Sequence, residues 1–366
     1  MLKQAAPDVY HPSLDIARGF AVSIVLLYHL FWYVSFFRLG WIGVDLFFVL
    51  SGFLITDILL RSRDNRNYFS KFFIKRILRI FPVYYLALIA FFFLSPLLFS
   101  NKSPDSAFTY YNQNQIWYWL YMQNWLVIRK GLPQEPYLNH FWSLAIEEQF
   151  YILWPVVIYC IKRIENLKKL IFLLIVFALL LRIFIRIFNP EQIEGLYYNT
   201  FTRMDSLLIG SFISIHVKQE KLIPTIYIKI IILSFIALIC TSIGIIGNVQ
   251  PGNKVFSTIG YSIIAAFFGI IIYLLVTYEN KLKALIKNGK TFSFLAKISY
   301  SLYVIHLPAY LITAYFLSSD QISFLQLIVK QKVSISIISL LITVLLSIVS
   351  FNIIEKPILS LKKYLN

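Results

Sequence analysis

Asp15 to His29 reads DIARGFAVSIVLLYH, and this stretch decides how the rest of the chain is read. It is apolar enough to begin a membrane crossing, yet it carries Asp15, Arg18 and His29. Arg18 and His29 stand about three helical turns apart, so they face the same way. Along the axis they are separated by roughly 16 Å, at 1.5 Å per residue. A cation and an imidazole on one stripe of a membrane helix are costly to keep. Their default place is the bundle interior, with a function there. The plainer alternatives are snorkelling for Arg18 and a satisfied interior hydrogen bond for His29.

The pattern of that first run continues along the chain. Of 366 residues, 59% are hydrophobic, which a soluble chain would not distribute in so many long apolar runs. The mean hydropathy of +0.72 agrees. The expectation is an all-α, polytopic transmembrane helical bundle. About ten spans, each roughly 17–23 residues, fit the hydrocarbon core. They fall at approximately 14–34, 41–60, 80–99, 143–161, 170–188, 202–217, 226–246, 258–278, 299–317 and 333–353. No small-residue cleavage site follows the first run, so it is expected to stay as a helix. Residues 1–366 read as one membrane domain with no second, soluble domain.

The net charge of +17 suggests nucleic acid at first sight, but the basic residues sit mostly in alternate loops. They include RSRDNRNYFSKFFIKRILR after the second span, Lys162, Arg163, Lys168 and Lys169 after the fourth, and Lys281, Lys283, Lys287 and Lys290 after the eighth. Lys356, Lys362 and Lys363 follow in the tail. By the positive-inside rule that side is cytoplasmic, and both termini are expected there, in an inner or plasma membrane. Cys160 and Cys240 give neither a disulfide framework nor a metal spacing.

Several stretches place polar side chains inside this frame. The second span begins GVDLFFVLSGFLIT, with Asp45 near its outer end and close in sequence to His29. Asp45 either orients that imidazole or simply favours a helix N-terminus. Gly43 and Gly52 allow close helix approach. In the basic stretch, Arg76 and Arg79 share a face, with Lys75 beside them. Forked guanidiniums suit phosphate oxygens, and lipid anchoring is the alternative.

The fourth span opens HFWSLAIEEQFY. His140, Ser143, Glu147 and Glu148 cluster at the expected outer face. Glu147 shares a side with His140 and can bind a polyol or relay a proton. Glu148 is expected to point toward the headgroups. The aromatic segment at about 100–142, rich in Trp, reads as an interfacial belt or as a platform for sugar rings. Arg203 and Asp205 in TFTRMDSLLIG form an internal pair or bind an acceptor hydroxyl. His306 precedes Pro308 in ISYSLYVIHLP, and there a core hydrogen bond is the expectation. Glu355 is expected to pair with a basic loop residue. No GxSxG, GxxxxGK[ST], CxxC or HExxH motif is present, so hydrolytic or ATP-driven chemistry has no obvious residues.

Taken together, these stretches resemble the acyltransferase-3 family of membrane O-acyltransferases over nearly the whole chain. Arg18 and His29 meet the family's Arg/Lys, ten residues, then His pattern, and Arg76 and Arg79 meet its RxxR pattern. The resemblance implies an acyl-CoA donor, usually acetyl-CoA, on the cytoplasmic side, with no permanently bound cofactor. It implies a cell-surface carbohydrate or lipid-linked glycan as acceptor. Some relatives carry a fused extracytoplasmic hydrolase-like domain, and this chain is expected to lack one.

Combining both lines, Lys75, Arg76 and Arg79 are expected to hold the nucleotide end of the donor. His29 is the expected base or acyl acceptor, with Arg18 on its stripe and Asp45 or Glu147 steadying the imidazolium. His140, Trp142, Arg203 and Asp205 are the expected acceptor-binding residues. The alternative class is a glycolipid transporter or flippase, whose paths are also lined by intramembrane charge. Repeated halves with matching broken helices would favour that reading, and none stands out. A lipid-scaffolding subunit without chemistry is a third.

Overall fold

The computed structural model describes residues 10–94, 106–133, 135–192, 194–244, 249–318 and 332–365. Among these every regular element is helical. The ten longest helices are α1 (Pro12–Leu30), α2 (Gly43–Ser62), α3 (Tyr68–Ile89), α4 (Trp142–Cys160), α5 (Ile164–Phe188), α6 (Thr200–Lys218), α7 (Thr225–Gly244), α8 (Tyr261–Thr277), α9 (Ser299–Ser318) and α10 (Lys332–Ser350). Each expected span overlaps one of them. The aromatic segment between α3 and α4 forms short helices at Ser106–Gln113, Gln115–Trp119 and Gln123–Lys130. Its first residues, including Asn101, lie outside the described residues.

Among the described residues, eight segments are long and apolar enough to cross a bilayer by length and composition, in keeping with the expected polytopic helical bundle. The other two long helices are α4 and α6, which carry Glu147, Glu148, Arg203 and Asp205. Their charged side chains turn inward, with Glu148, Arg203 and Asp205 buried, while α4 keeps an exposed apolar face at Ile152, Leu153 and Val156. The third span begins earlier than expected, because α3 starts at Tyr68. Lys75, Arg76 and Arg79 are therefore helical residues, not loop residues.

Local chemistry sets several helix ends. Pro12 opens α1, where its missing N–H costs nothing. The Asn199 side chain accepts the Phe201 amide at 2.8 Å and caps α6.

The core is built on the contact of α2 with α6, the most extensive between any two helices. A Cβ at Gly52 would run into the Leu207 carbonyl, and one at Gly210 into the Val49 carbonyl. The two glycines thus let the backbones touch. Two ion pairs with no exposed surface tie α6 to its neighbours, one of them across this crossing. Arg203 Nη2 donates to Asp45 Oδ1 at 2.8 Å, joining α6 to α2. Arg182 Nη1 donates to Asp205 Oδ2 at 2.8 Å, joining α5 to α6. Ser206 donates to Asp45 at 2.9 Å, and Ser262 to Asp205 at 2.6 Å. The Arg203 guanidinium lies 4.1 Å from the Tyr261 ring centroid and 5.0 Å from that of Tyr197. Charges withdrawn from water this completely need such partners.

Asp45, Arg203 and Asp205 are thereby placed in the helix-locking network. Asp45 does not reach His29, and Arg203 and Asp205 line neither of the central cavities described below. Asp205 and Arg203 are two apart on a helix, so each turns to a different neighbour.

Candidate active site

Two cavities lie back to back in the bundle, and Val44 and Tyr303 line both. The first, of about 100 Å³, sits toward the end of the bundle that carries the basic loops. Arg18 from α1, Ser51 from α2, Arg76 and Arg79 from α3, and Glu147, Glu148 and Tyr151 from α4 line it. Arg18 donates to Asp15 at 3.2 Å. Among the described residues, Arg76 and Arg79 form no ion pair. The Arg76 guanidinium instead lies 5.3 Å from the Tyr151 ring centroid. Three guanidiniums against two carboxylates leave this pocket basic. Lys75, their neighbour in sequence, is not part of its lining.

The carboxylates of α4 differ in their partners. Tyr151 donates to Ser51 at 3.0 Å, and Ser51 donates to Glu147 Oε1 at 2.6 Å. Glu148 is buried, and its Oε1 accepts no hydrogen bond. The expectation that Glu148 points to headgroups is overturned. The cavity is wide enough for two side chains about 100° apart on the helix to line it together. Glu147 also belongs with the arginines rather than with His29, so it does not steady that imidazole.

The second cavity, of about 670 Å³, opens toward the opposite end. His29, at the C-terminal end of α1, lines it together with His140, and the aromatic wall includes Trp32, Trp41, Trp142 and Tyr197. Trp41 and Trp142 are buried, so they are cavity walls rather than members of an interfacial belt. Trp41 donates its indole N–H to the Val249 carbonyl at 2.7 Å, which fixes its plane. Trp142 packs against Tyr197 with ring centroids 4.6 Å apart.

The boundary between the cavities is hydrogen-bonded. The Tyr303 hydroxyl donates to the His140 carbonyl at 2.9 Å and lies 2.6 Å from Ser143 Oγ. His306 is fully buried beneath His29, with Nε2 3.0 Å from His29 Nδ1.

Of the residues singled out from sequence, Arg18, Arg76, Arg79 and Glu147 meet at the first cavity, and His29, His140 and Trp142 at the second. Sequence reasoning missed Ser51, Tyr151 and Tyr303, and gave His306 only a core hydrogen bond. Tyr151 was within reach of that reasoning, because it stands one helical turn after Glu147. Glu355 accepts from Ser301 rather than from a basic loop residue. A different polar boundary lies near the basic end, where Glu279 accepts from the Ser13 amide at 3.0 Å and from His11 Nδ1 at 2.8 Å. Burial pushes the Glu279 carboxyl up, but these two hydrogen bonds outweigh it and hold it below the ordinary value.

The acyltransferase domain family matches residues 11–352. The peptidoglycan O-acetyltransferase OatA of Listeria monocytogenes is 28% identical over 95% of this chain and 56% of its own length. The O-acetyltransferase OatA of Staphylococcus aureus is 30% identical over 95% of this chain and 57% of its own. The putative peptidoglycan O-acetyltransferase YrhL of Bacillus subtilis is 34% identical over 58% of this chain. The chain thus spans a little over half the length of the two OatA proteins. No solved structure matches it. With the family match running from the start of α1 to the end of α10, this chain belongs to the acyltransferase-3 family of membrane proteins.

Proposed function

We propose that the protein moves an acyl group, acetyl in the simplest case, from cytoplasmic acyl-CoA to a hydroxyl of a cell-surface or lipid-linked carbohydrate. The observation that carries this reading is the pair of cavities meeting at Val44 and Tyr303, one basic and one aromatic with a histidine. Arg76 and Arg79, free of carboxylate partners, suit the phosphates of CoA. The Trp and Tyr walls suit the apolar faces of sugar rings, and the peptidoglycan named for two relatives is such a glycan. Lipids surround the α5 and α7 faces.

In this reading His29 takes the proton of the acceptor hydroxyl. The oxygen attacks the thioester carbonyl, the C–S bond breaks, and the CoA thiolate takes the proton back from the imidazolium. Direct transfer and a transient acyl-imidazole both use the same ring nitrogen. His140 and Trp142 contact the acceptor side.

The test is purified protein with radiolabelled acetyl-CoA and a lipid-linked glycan. Labelled glycan is expected, and its absence from a preparation that binds CoA would exclude O-acylation of that glycan class. Sidedness is tested separately with reporter fusions after Lys130 and at the C-terminus, which are expected on opposite sides.

A further inference from the structure

His29 has lost the partner that its sequence neighbourhood offered, since Asp45 is bound to Arg203. Its ring packs against Tyr28 and His306, and it is His306 whose ring nitrogen faces it, so the surroundings of His306 decide which nitrogen of His29 is basic. His306 Nδ1 lies 2.7 Å from the Tyr303 carbonyl, which can only accept. Nδ1 of His306 therefore carries a hydrogen. A neutral imidazole has one N–H, so Nε2 of His306 is a bare acceptor. Among the described residues no carboxylate pairs with this ring to hold a second proton. The group facing that acceptor, His29 Nδ1, must then be the donor across 3.0 Å. That leaves Nε2 of His29 with a free lone pair.

Pro308 helps to assemble the cluster. It has no N–H, so the Val304 carbonyl one turn earlier loses its helical donor. His140 Nε2 fills the gap at 3.2 Å. His140 is thereby held against His306, with ring centroids 4.6 Å apart. Its Nδ1 is left buried and without a partner.

We infer that His306 is a positioning residue that fixes His29 as the Nδ1–H tautomer and presents Nε2 of His29 as the reacting nitrogen. This rests on the proposed acyl-transfer role of His29 for its effect on rate, but not for the tautomer itself. The arrangement supplies what a triad carboxylate supplies elsewhere, a fixed tautomer and ring plane, without a charge inside the bundle.

The experiment is imidazole-nitrogen NMR on protein labelled at histidine, assigned by single substitutions among the five histidines. Wild-type His29 is expected to show a protonated Nδ1 and a bare Nε2. His306→Phe keeps the ring volume but removes the acceptor. It is expected to release His29 into a mixture of tautomers and to lower turnover roughly 100-fold, the lower range for a general base. KM for acetyl-CoA should stay unchanged. His306→Gln places an amide oxygen near the old Nε2, so it should restore the His29 signature and most of the turnover. The inference is overturned if wild-type His29 is protonated on Nε2, or if His306→Phe leaves its signals in place. Should His306→Phe fail to fold, the wild-type and His306→Gln spectra still decide. A correct tautomer together with an active His29→Gln variant would instead overturn the catalytic role of His29 and leave the positioning intact.

Discussion

Replacing Asp45 by Leu tests whether the buried pair holds the bundle or serves the reaction. The substitution strips the fully buried Arg203 of its 2.8 Å ion-pair partner and removes an acceptor from Ser206. The guanidinium keeps only the ring faces of Tyr261, Tyr197 and Phe48. Two unit charges about 4 Å apart attract by about 4 kcal/mol at an effective dielectric of 20. Removing one partner of such a pair costs about 3–5 kcal/mol. Asp45→Leu should therefore melt well below wild type in detergent. Combining it with Arg203→Met removes the uncompensated charge, and the double variant should recover most of that loss. Differential scanning fluorimetry and urea titration of all four proteins give the coupling energy directly. If the double variant is as unstable as Asp45→Leu, or if Asp45→Leu melts like wild type, the helix-locking account of this pair fails.

Other expectations follow from the cavities and their edges. Arg76→Lys or Arg79→Lys should weaken CoA binding in a calorimetric titration without changing expression, because the forked donor is lost while the charge stays. Unchanged affinity would return both residues to lipid anchoring. His29→Gln should cost roughly 100- to 10,000-fold in turnover while the protein still folds and binds CoA; near-normal turnover would make His29 structural. The depressed Glu279 carboxyl should stabilise the fold fully above the ordinary glutamate range. That contribution should shrink as pH falls below this range and vanish once the folded carboxyl is protonated. Melting of Glu279→Gln should therefore lie below wild type at neutral pH and converge with it in acid.

The spans were legible because apolar runs of membrane length leave few alternatives, and each of the ten expected spans overlaps a long helix. Arg18, Arg76 and Arg79 were legible because charge inside such a frame calls for a reason. Contacts between distant segments were not legible. Asp45 stands sixteen residues after His29, and sequence proximity suggested a pair. The helix crossing at Gly52 and Gly210 gave Asp45 to Arg203 instead. Glu148 was placed outward because adjacent helical residues diverge, a rule that assumes a narrow cavity. His306 lies 277 positions from His29, and only the fold brings the two rings together.

The boundary at Val44 and Tyr303 has an electrical consequence. If water fills both cavities, most of the bilayer's thickness between them conducts, and the membrane voltage falls mainly across that boundary. Moving an elementary charge through the whole drop is worth about 2.3 kcal/mol per 100 mV. A neutral thioester carries no net charge through this drop. A proton leaving the Tyr303 boundary for either cavity would feel part of it. The side chains that separate the two compartments would then also decide how strongly cell energisation reaches the reaction, with the hydroxyl of Tyr303 at the point of steepest field.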